Sequence, residues 1–342
     1  MRVKTISFDL LKIIACFLVI VNHTNSEVFH QLSPSLTWGL SVFYFYISKI
    51  AVPIFLMISG ALLLSKDYSY RKLYGDKFLK TLLLLVLLSF YVYVQQGMPL
   101  NPIIFIKQML KDPIIIPYWY LYMLLGIYLL LPFLRKLIVA MNRQDRWVFF
   151  ALWVFFSGLL PILVRYEVIP KLSDYINVQL YYNFIGYLFV GYWIHQKEFK
   201  KESLPKLFFF MVASLLLLGG LGVAGALYEF KTWGALYLQL DNPFYLTSMM
   251  ASISVFLFVN VYFRYHPIQG KPALWISKLA KYTYGVYLLH PILQMGLNTL
   301  RYEVIQIPNA LVSVIVFEIC LFVISWLASW CLSRSLIFRK LL

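Results

Sequence analysis

Residues 7–23 read Ser7-Phe8-Asp9-Leu10-Leu11-Lys12-Ile13-Ile14-Ala15-Cys16-Phe17-Leu18-Val19-Ile20-Val21-Asn22-His23. With Ile6 and Thr24 the run covers residues 6–24, close to what a helix needs to cross a hydrocarbon core about 30 Å thick. Arg2 and Lys4 precede it, while Asp9, Lys12 and His23 interrupt it and no convincing cleavage site follows, so it reads as a retained span. Nine further apolar runs of similar length follow, at roughly 41–64, 79–96, 117–134, 147–164, 179–196, 207–228, 243–263, 282–300 and 309–333. The expected fold is therefore all-α and polytopic, about ten transmembrane helices in one domain covering residues 1–342.

Composition demands the same solvent. Of 342 residues 61% are hydrophobic and 13% charged, and the mean hydropathy is +0.76. A soluble domain is about half apolar and about a quarter charged, and a chain of this size cannot hide so large an excess in one core. Secreted disulfide scaffolds, disordered tails and most soluble enzymes are excluded. Cys16, Cys320 and Cys331 all fall inside apolar runs, which reads as three inert thiols; no spacing suits a metal site.

The formal net charge of +16 suggests nucleic acid until its 30 Lys and Arg are located. With the amino terminus in the cytoplasm, 22 lie in cytoplasmic segments and 6 in outer loops, while Lys12 and Lys49 lie within spans. This alternates without a break, as the positive-inside rule requires. The charge is an orientation signal that places both termini in the cytoplasm, not a nucleic-acid footprint. Seven acids are assigned to the outer loops: Glu27, Asp112, Glu167, Asp174, Glu229, Asp241 and Glu303.

Ionisable residues inside a span usually face a cavity or a partner. Here they are Asp9, Lys12, His23, Lys49, His290 and Glu318. The acids and lysines balance, so a structural ion-pair network is one reading of Lys49 and Glu318. On the first run, Lys12 and His23 are eleven residues apart, about three turns plus roughly 20°, and share one face about 16 Å apart. Asp9 sits one turn before Lys12 and can pair with it. A histidine at a helix end reads more often as an interfacial residue than as a base; its alignment with Lys12, and Asn22 beside it, put the two readings level.

The basic residue, ten intervening residues and histidine of this run resemble the opening helix of the acyltransferase-3 family of integral membrane acyltransferases. Val52-Pro53-Ile54-Phe55-Leu56-Met57-Ile58-Ser59-Gly60 resembles its second-helix signature. Trp119-Tyr120-Leu121-Tyr122, Gly126-Ile127-Tyr128 and Pro132-Phe133-Leu134-Arg135 resemble its fourth helix. Tyr284-Gly285-Val286-Tyr287-Leu288-Leu289-His290-Pro291 resembles the motif of a late helix. Lys12 stands where the family most often has Arg, keeping the charge and losing the planar fork.

What the resemblance implies is transfer of an acyl group, most often acetyl, from cytoplasmic acetyl-coenzyme A to a hydroxyl of an extracytoplasmic or lipid-linked glycan. It also implies residence in a bacterial plasma membrane. His23 would serve as general base or transient acyl carrier, and Lys12 would orient the donor or stabilise charge on the carbonyl oxygen. The loop after the second run, read over residues 70–80, carries Arg71, Lys72, Lys77 and Lys80, which suit coenzyme A phosphates as point charges. Lys77 and Lys80 stand at the family's paired basic positions, although the positive-inside rule also accounts for such a cluster. Asn22, Lys49, Tyr284, His290 and Glu318 are candidate supporting residues. Trp119 is either a sugar-stacking platform or an interfacial anchor, and Pro291 allows His290 the bland role of organising a kink. Ser59 and Gly60 read as a close helix contact. The competing class is a transporter or flippase of a polysaccharide precursor, which has no reason to keep the Lys12–His23 spacing and the ordered motifs. An inactive scaffold is the third reading, and the intact His23 counts against it.

Overall fold

The computed structural model describes residues 6–24, 33–165, 184–238, 240–304 and 309–335. Every regular element among them is helical. In chain order they are α1 (Ile6–Thr24), α2 (Leu36–Ser48), α3 (Ala51–Leu63), α4 (Tyr70–Gln95), α5 (Pro102–Lys111), α6 (Trp119–Ala140) and α7 (Arg143–Arg165). There follow α8 (Phe184–Gln196), α9 (Leu204–Trp233), α10 (Leu246–Tyr265), α11 (Gly270–Lys281), α12 (Thr283–Val304) and α13 (Ala310–Leu332).

Eight helical stretches among the described residues are long and apolar enough to cross a bilayer, with α2 and α3 counted as one. The other two apolar runs are helical as well, as α8 and α12. The protein is a polytopic helical membrane protein. Lipid-facing character is visible on α9, whose exposed residues include Phe208, Phe209, Phe210, Leu216, Leu217 and Leu221. Phe209 is 75% exposed, which water would not tolerate in a row of such neighbours.

Several helices begin before the apolar run that announced them. α4 starts at Tyr70, capped by Ser69, and α7 starts at Arg143, where Asn142 and Asp145 form a capping box. Hydropathy marks the hydrocarbon slab, whereas caps mark the end of the helix, so the stretch holding Arg71, Lys72 and Lys77 is helical rather than loop. Its residues Leu73–Phe78 form a wide π-turn. Glu229, read as a loop acid, lies within α9 and is buried. Glu27, Glu167 and Asp174 lie outside the described residues.

The expected second span is a broken helix. Pro53 has no amide to offer the Lys49 carbonyl, and its ring crowds that carbonyl. Accordingly α2 stops at Ser48, Lys49 and Ile50 form a turn, and regular bonding resumes with Ile54 N donating to Ile50 O at 3.0 Å. Lys49 sits at the break.

The chain divides into two compact units. The first comprises 1–65, 141–283 and 306–320; the second comprises 66–140, 284–305 and 321–342. Inside the first, α3 and α8 meet backbone to backbone. A Cβ at Gly60 would lie 1.9 Å from the Leu188 carbonyl oxygen, and one at Gly191 would lie 2.1 Å from that of Met57. Only glycine allows that approach, the packing that small residues permit between membrane helices. Inside the second, Tyr118 donates to the Leu288 carbonyl at 3.0 Å and Tyr287 donates to that of Pro117, which ties the start of α6 to α12.

Candidate functional site

The first unit gathers polar side chains at both ends of α1. At its start, Lys12 Nζ lies 3.4 Å from Asp9 Oδ1, an i,i+3 pair on the helix surface. Ser277 of α11 donates to Asp9 Oδ2 at 2.8 Å, so the acid is held from two sides. Lys12 is 31% exposed and its ammonium is not locked in a dry core.

The other end is more elaborate. Lys49, buried at the α2–α3 break, donates to Asn22 Oδ1 at 2.5 Å and forms an ion pair with Asp241. Its ammonium also lies 3.7 Å from the centre of the Phe45 ring, a cation–π contact. Ser48 shares the same oxygen of Asn22 at 3.4 Å. On the opposite flank of His23, Thr24 donates to Glu318 Oε1 at 2.7 Å, and Tyr44 of α2 donates to Glu318 Oε2 at 2.9 Å. Glu318, on α13, is completely buried. Two hydroxyl donors, one on each oxygen, are the pattern of a carboxylate accepting at both atoms.

His23 is half-buried in the last turn of α1, and both its sequence neighbours are tied to buried charged residues on other elements. Asn22 is held by Lys49 and Thr24 by Glu318. The imidazole is therefore carried on a backbone fixed on two flanks.

Asp241 reaches Lys49 because the segment after α9 is itself pinned. Gly234 closes α9 with φ +65°, a left-handed cap that glycine accepts without strain. Buried Glu229 then takes the amides of Tyr237 and Leu238 at 2.7 Å each. Tyr187 of α8 donates to Pro243 O at 2.7 Å on the far side.

Of the sequence-derived candidates, the structure brings Asn22, Lys49 and Glu318 to the end of α1 that carries His23, and Asp9 to Lys12. A direct pairing of Lys49 with Glu318 is not what forms: Lys49 takes Asp241, and Glu318 takes two hydroxyls. Thr24, Tyr44, Ser48 and Asp241 join the cluster without having been singled out for it. Hydroxyls and an acid after a distant helix carry no local signal of where they converge.

The remaining candidates belong to the second unit. Arg71, Lys72 and Lys80 are exposed and Lys77 is half-buried, its Nζ 5.5 Å from the centre of the Tyr68 ring. Trp119 is half-buried with its ring 6.2 Å from Tyr120. Tyr284 is half-buried in the first turn of α12. His290 is completely buried, and its Nδ1 lies 3.2 Å from the Val286 carbonyl of its own helix, with Pro291 next in the chain.

The family model described as an acyltransferase domain, that of the acyltransferase-3 family, matches residues 5–334, and the chain belongs to this family. No curated protein and no solved structure matches it.

Proposed function

We propose that this acyltransferase-3 member, a membrane acyltransferase, moves an acyl group from a cytoplasmic acyl-coenzyme A to a hydroxyl of an extracytoplasmic or lipid-linked glycan. Acetyl is the group we assign. The observation that carries the reading is His23 held between Asn22–Lys49 and Thr24–Glu318 at one end of a helix whose other end bears Lys12.

An imidazole titrates near neutral pH and so can accept a proton from a hydroxyl as its oxygen attacks the thioester carbonyl. The carbon–sulfur bond then breaks, the thiolate takes the proton from the ring, and ester and free thiol leave. In the two-step route the ring nitrogen attacks first and the thiol departs with a proton. The glycan hydroxyl next displaces the imidazole from the acyl group, and its proton returns to the ring in place of the one that left with the thiol. Both routes use the same fixed ring.

Lys12 lies about 16 Å along the continuous α1 from His23, too far to touch the same carbonyl. Its charge serves the donor, while Lys49, bonded to the residue beside His23, is the cation suited to the developing oxyanion. Arg71, Lys72, Lys77 and Lys80 hold the donor phosphates as point charges. Residence in a bacterial plasma membrane, with the cation-rich segments in the cytoplasm, belongs to the same proposal.

The test is incorporation of labelled acetate into glycan by membranes supplied with acetyl-coenzyme A, normalised to protein level. His23→Ala should lower it about a hundred- to ten-thousand-fold while the variant inserts and purifies normally. Near-normal incorporation would remove His23 from the mechanism and direct attention to His290.

A further inference from the structure

The second unit contains a pocket of about 260 Å³ lined by Lys66, Asp67, Tyr68, Tyr70, Leu73, Leu131, Pro132, Arg135 and Lys136. We propose that it binds a phosphate ester, with Arg135, Lys136 and Lys66 as the residues that take its oxygens. The nucleotide arm of this proposal rests on the acyl-transfer reading, whose donor is itself a phosphorylated nucleoside, whereas the lipid arm does not; both are measured as binding without turnover, so they fail separately from His23 chemistry.

Pro132 lines the pocket from inside α6, where it has no amide to donate to the Tyr128 carbonyl. Tyr74 of α4 donates to the neighbouring Leu129 carbonyl at 3.2 Å, so α4 closes on the same stretch of α6. Leu131, Pro132, Arg135 and Lys136 form one wall, and the segment entering α4, Lys66 to Tyr70, forms another.

Its charge points to an anion. Three cations face one acid, Asp67, which leaves a formal +2. That acid is 83% exposed and holds Arg135 Nη1 at 3.5 Å, a long contact in a solvated place. Arg135 Nε is buried and has no hydrogen-bond acceptor among the described residues. A buried donor left unmade is costly, and the guanidinium fork is shaped for two oxygens of one phosphate. Lys77, over the Tyr68 ring, adds a fourth cation at the margin. Tyr70, 54% exposed and stacked on Tyr74 at 5.8 Å, offers the flat surface that a nucleoside would use. A phosphorylated nucleoside and an anionic lipid headgroup both present this phosphate chemistry.

The experiment uses the full chain purified in uncharged detergent. Calorimetry measures adenosine 3′,5′-bisphosphate binding, and native mass spectrometry measures retention of phosphatidic acid against phosphatidylcholine. Arg135→Gln should weaken the bound phosphate ester about tenfold or more, as expected for loss of charged hydrogen bonds. Lys136→Gln, at an exposed position that leaves the fold alone, should weaken it less and flatten its salt dependence. Bisphosphate binding that falls in the variants assigns a nucleotide; selective retention of phosphatidic acid that falls in them assigns a lipid. Binding of neither ligand, or binding unchanged in both variants, overturns the proposal.

Discussion

Consider Lys49 and Asp241, exchanged singly and together as Lys49→Met and Asp241→Asn. Lys49 is 7% exposed and Asp241 27% exposed. Removing one member of a buried pair leaves the other charge uncompensated, at about 3–5 kcal/mol when both are dry. Here the two single variants should differ. Asp241→Asn strands an ammonium in a place water barely reaches, with neutral oxygens and the Phe45 ring in place of a carboxylate, and should cost roughly 2–3 kcal/mol. Lys49→Met strands a carboxylate that can hydrate through its open quarter, and should cost roughly 1–2 kcal/mol. The double variant strands neither charge and should recover at least about 1 kcal/mol of the summed losses. The assay is the thermal midpoint in uncharged detergent followed by tryptophan fluorescence. A chain this long shifts about 2 °C or less per kcal/mol, so each loss is a few degrees and the two single variants differ by about 2 °C or less. An Asp241→Asn midpoint equal to or above that of Lys49→Met would refute the argument from burial. Strictly additive losses would show that the ion pair does not couple the segment after α9 to the α2–α3 break.

Lys12→Arg should keep appreciable acyl transfer, because the partly exposed site needs the charge and Asp9 can still pair with it; Lys12→Ala should lose most of it, and equal activities of the two in the labelled-acetate assay would exclude a role for the charge. Replacing both Lys77 and Lys80 by Ala should raise the KM for acyl-coenzyme A and reduce its sensitivity to salt; an unchanged KM at low and high salt would leave those lysines with an orienting role only. A cysteine in place of Ser69, introduced in otherwise cysteine-free chain, should resist an impermeant reagent applied to intact cells; labelling from outside would invert the topology.

Much was legible along the chain because lipid imposes a simple rule on it. A span must be apolar over about twenty residues and must satisfy its backbone internally, so among the described residues eight of the runs emerged as helices able to span and the other two as helices. Helix starts were less legible. Ser69 and Asn142 act through single hydrogen bonds outside the apolar slab, which hydropathy does not register. Pro53 and Gly60 were visible as residues, but what they do involves a carbonyl at Lys49 and another at Leu188.

The site divides in the same way. Lys12 and His23 share a face by arithmetic on one helix, and Asp9 pairs with Lys12 one turn away; periodicity and local geometry suffice for both. The partners that immobilise the residues beside His23 come from elsewhere: Lys49 and Tyr44 from the broken second span, Asp241 from the segment after α9, and Glu318 from α13, nearly 300 residues later. Sequence by itself determined that these ionisable groups lie in or beside apolar spans and therefore need partners. Which partner each one takes is decided only by packing: glycine contacts bring α3 and α8 together at backbone distance, and the burial of each charge then selects the donor or acceptor that the neighbouring helix happens to present there.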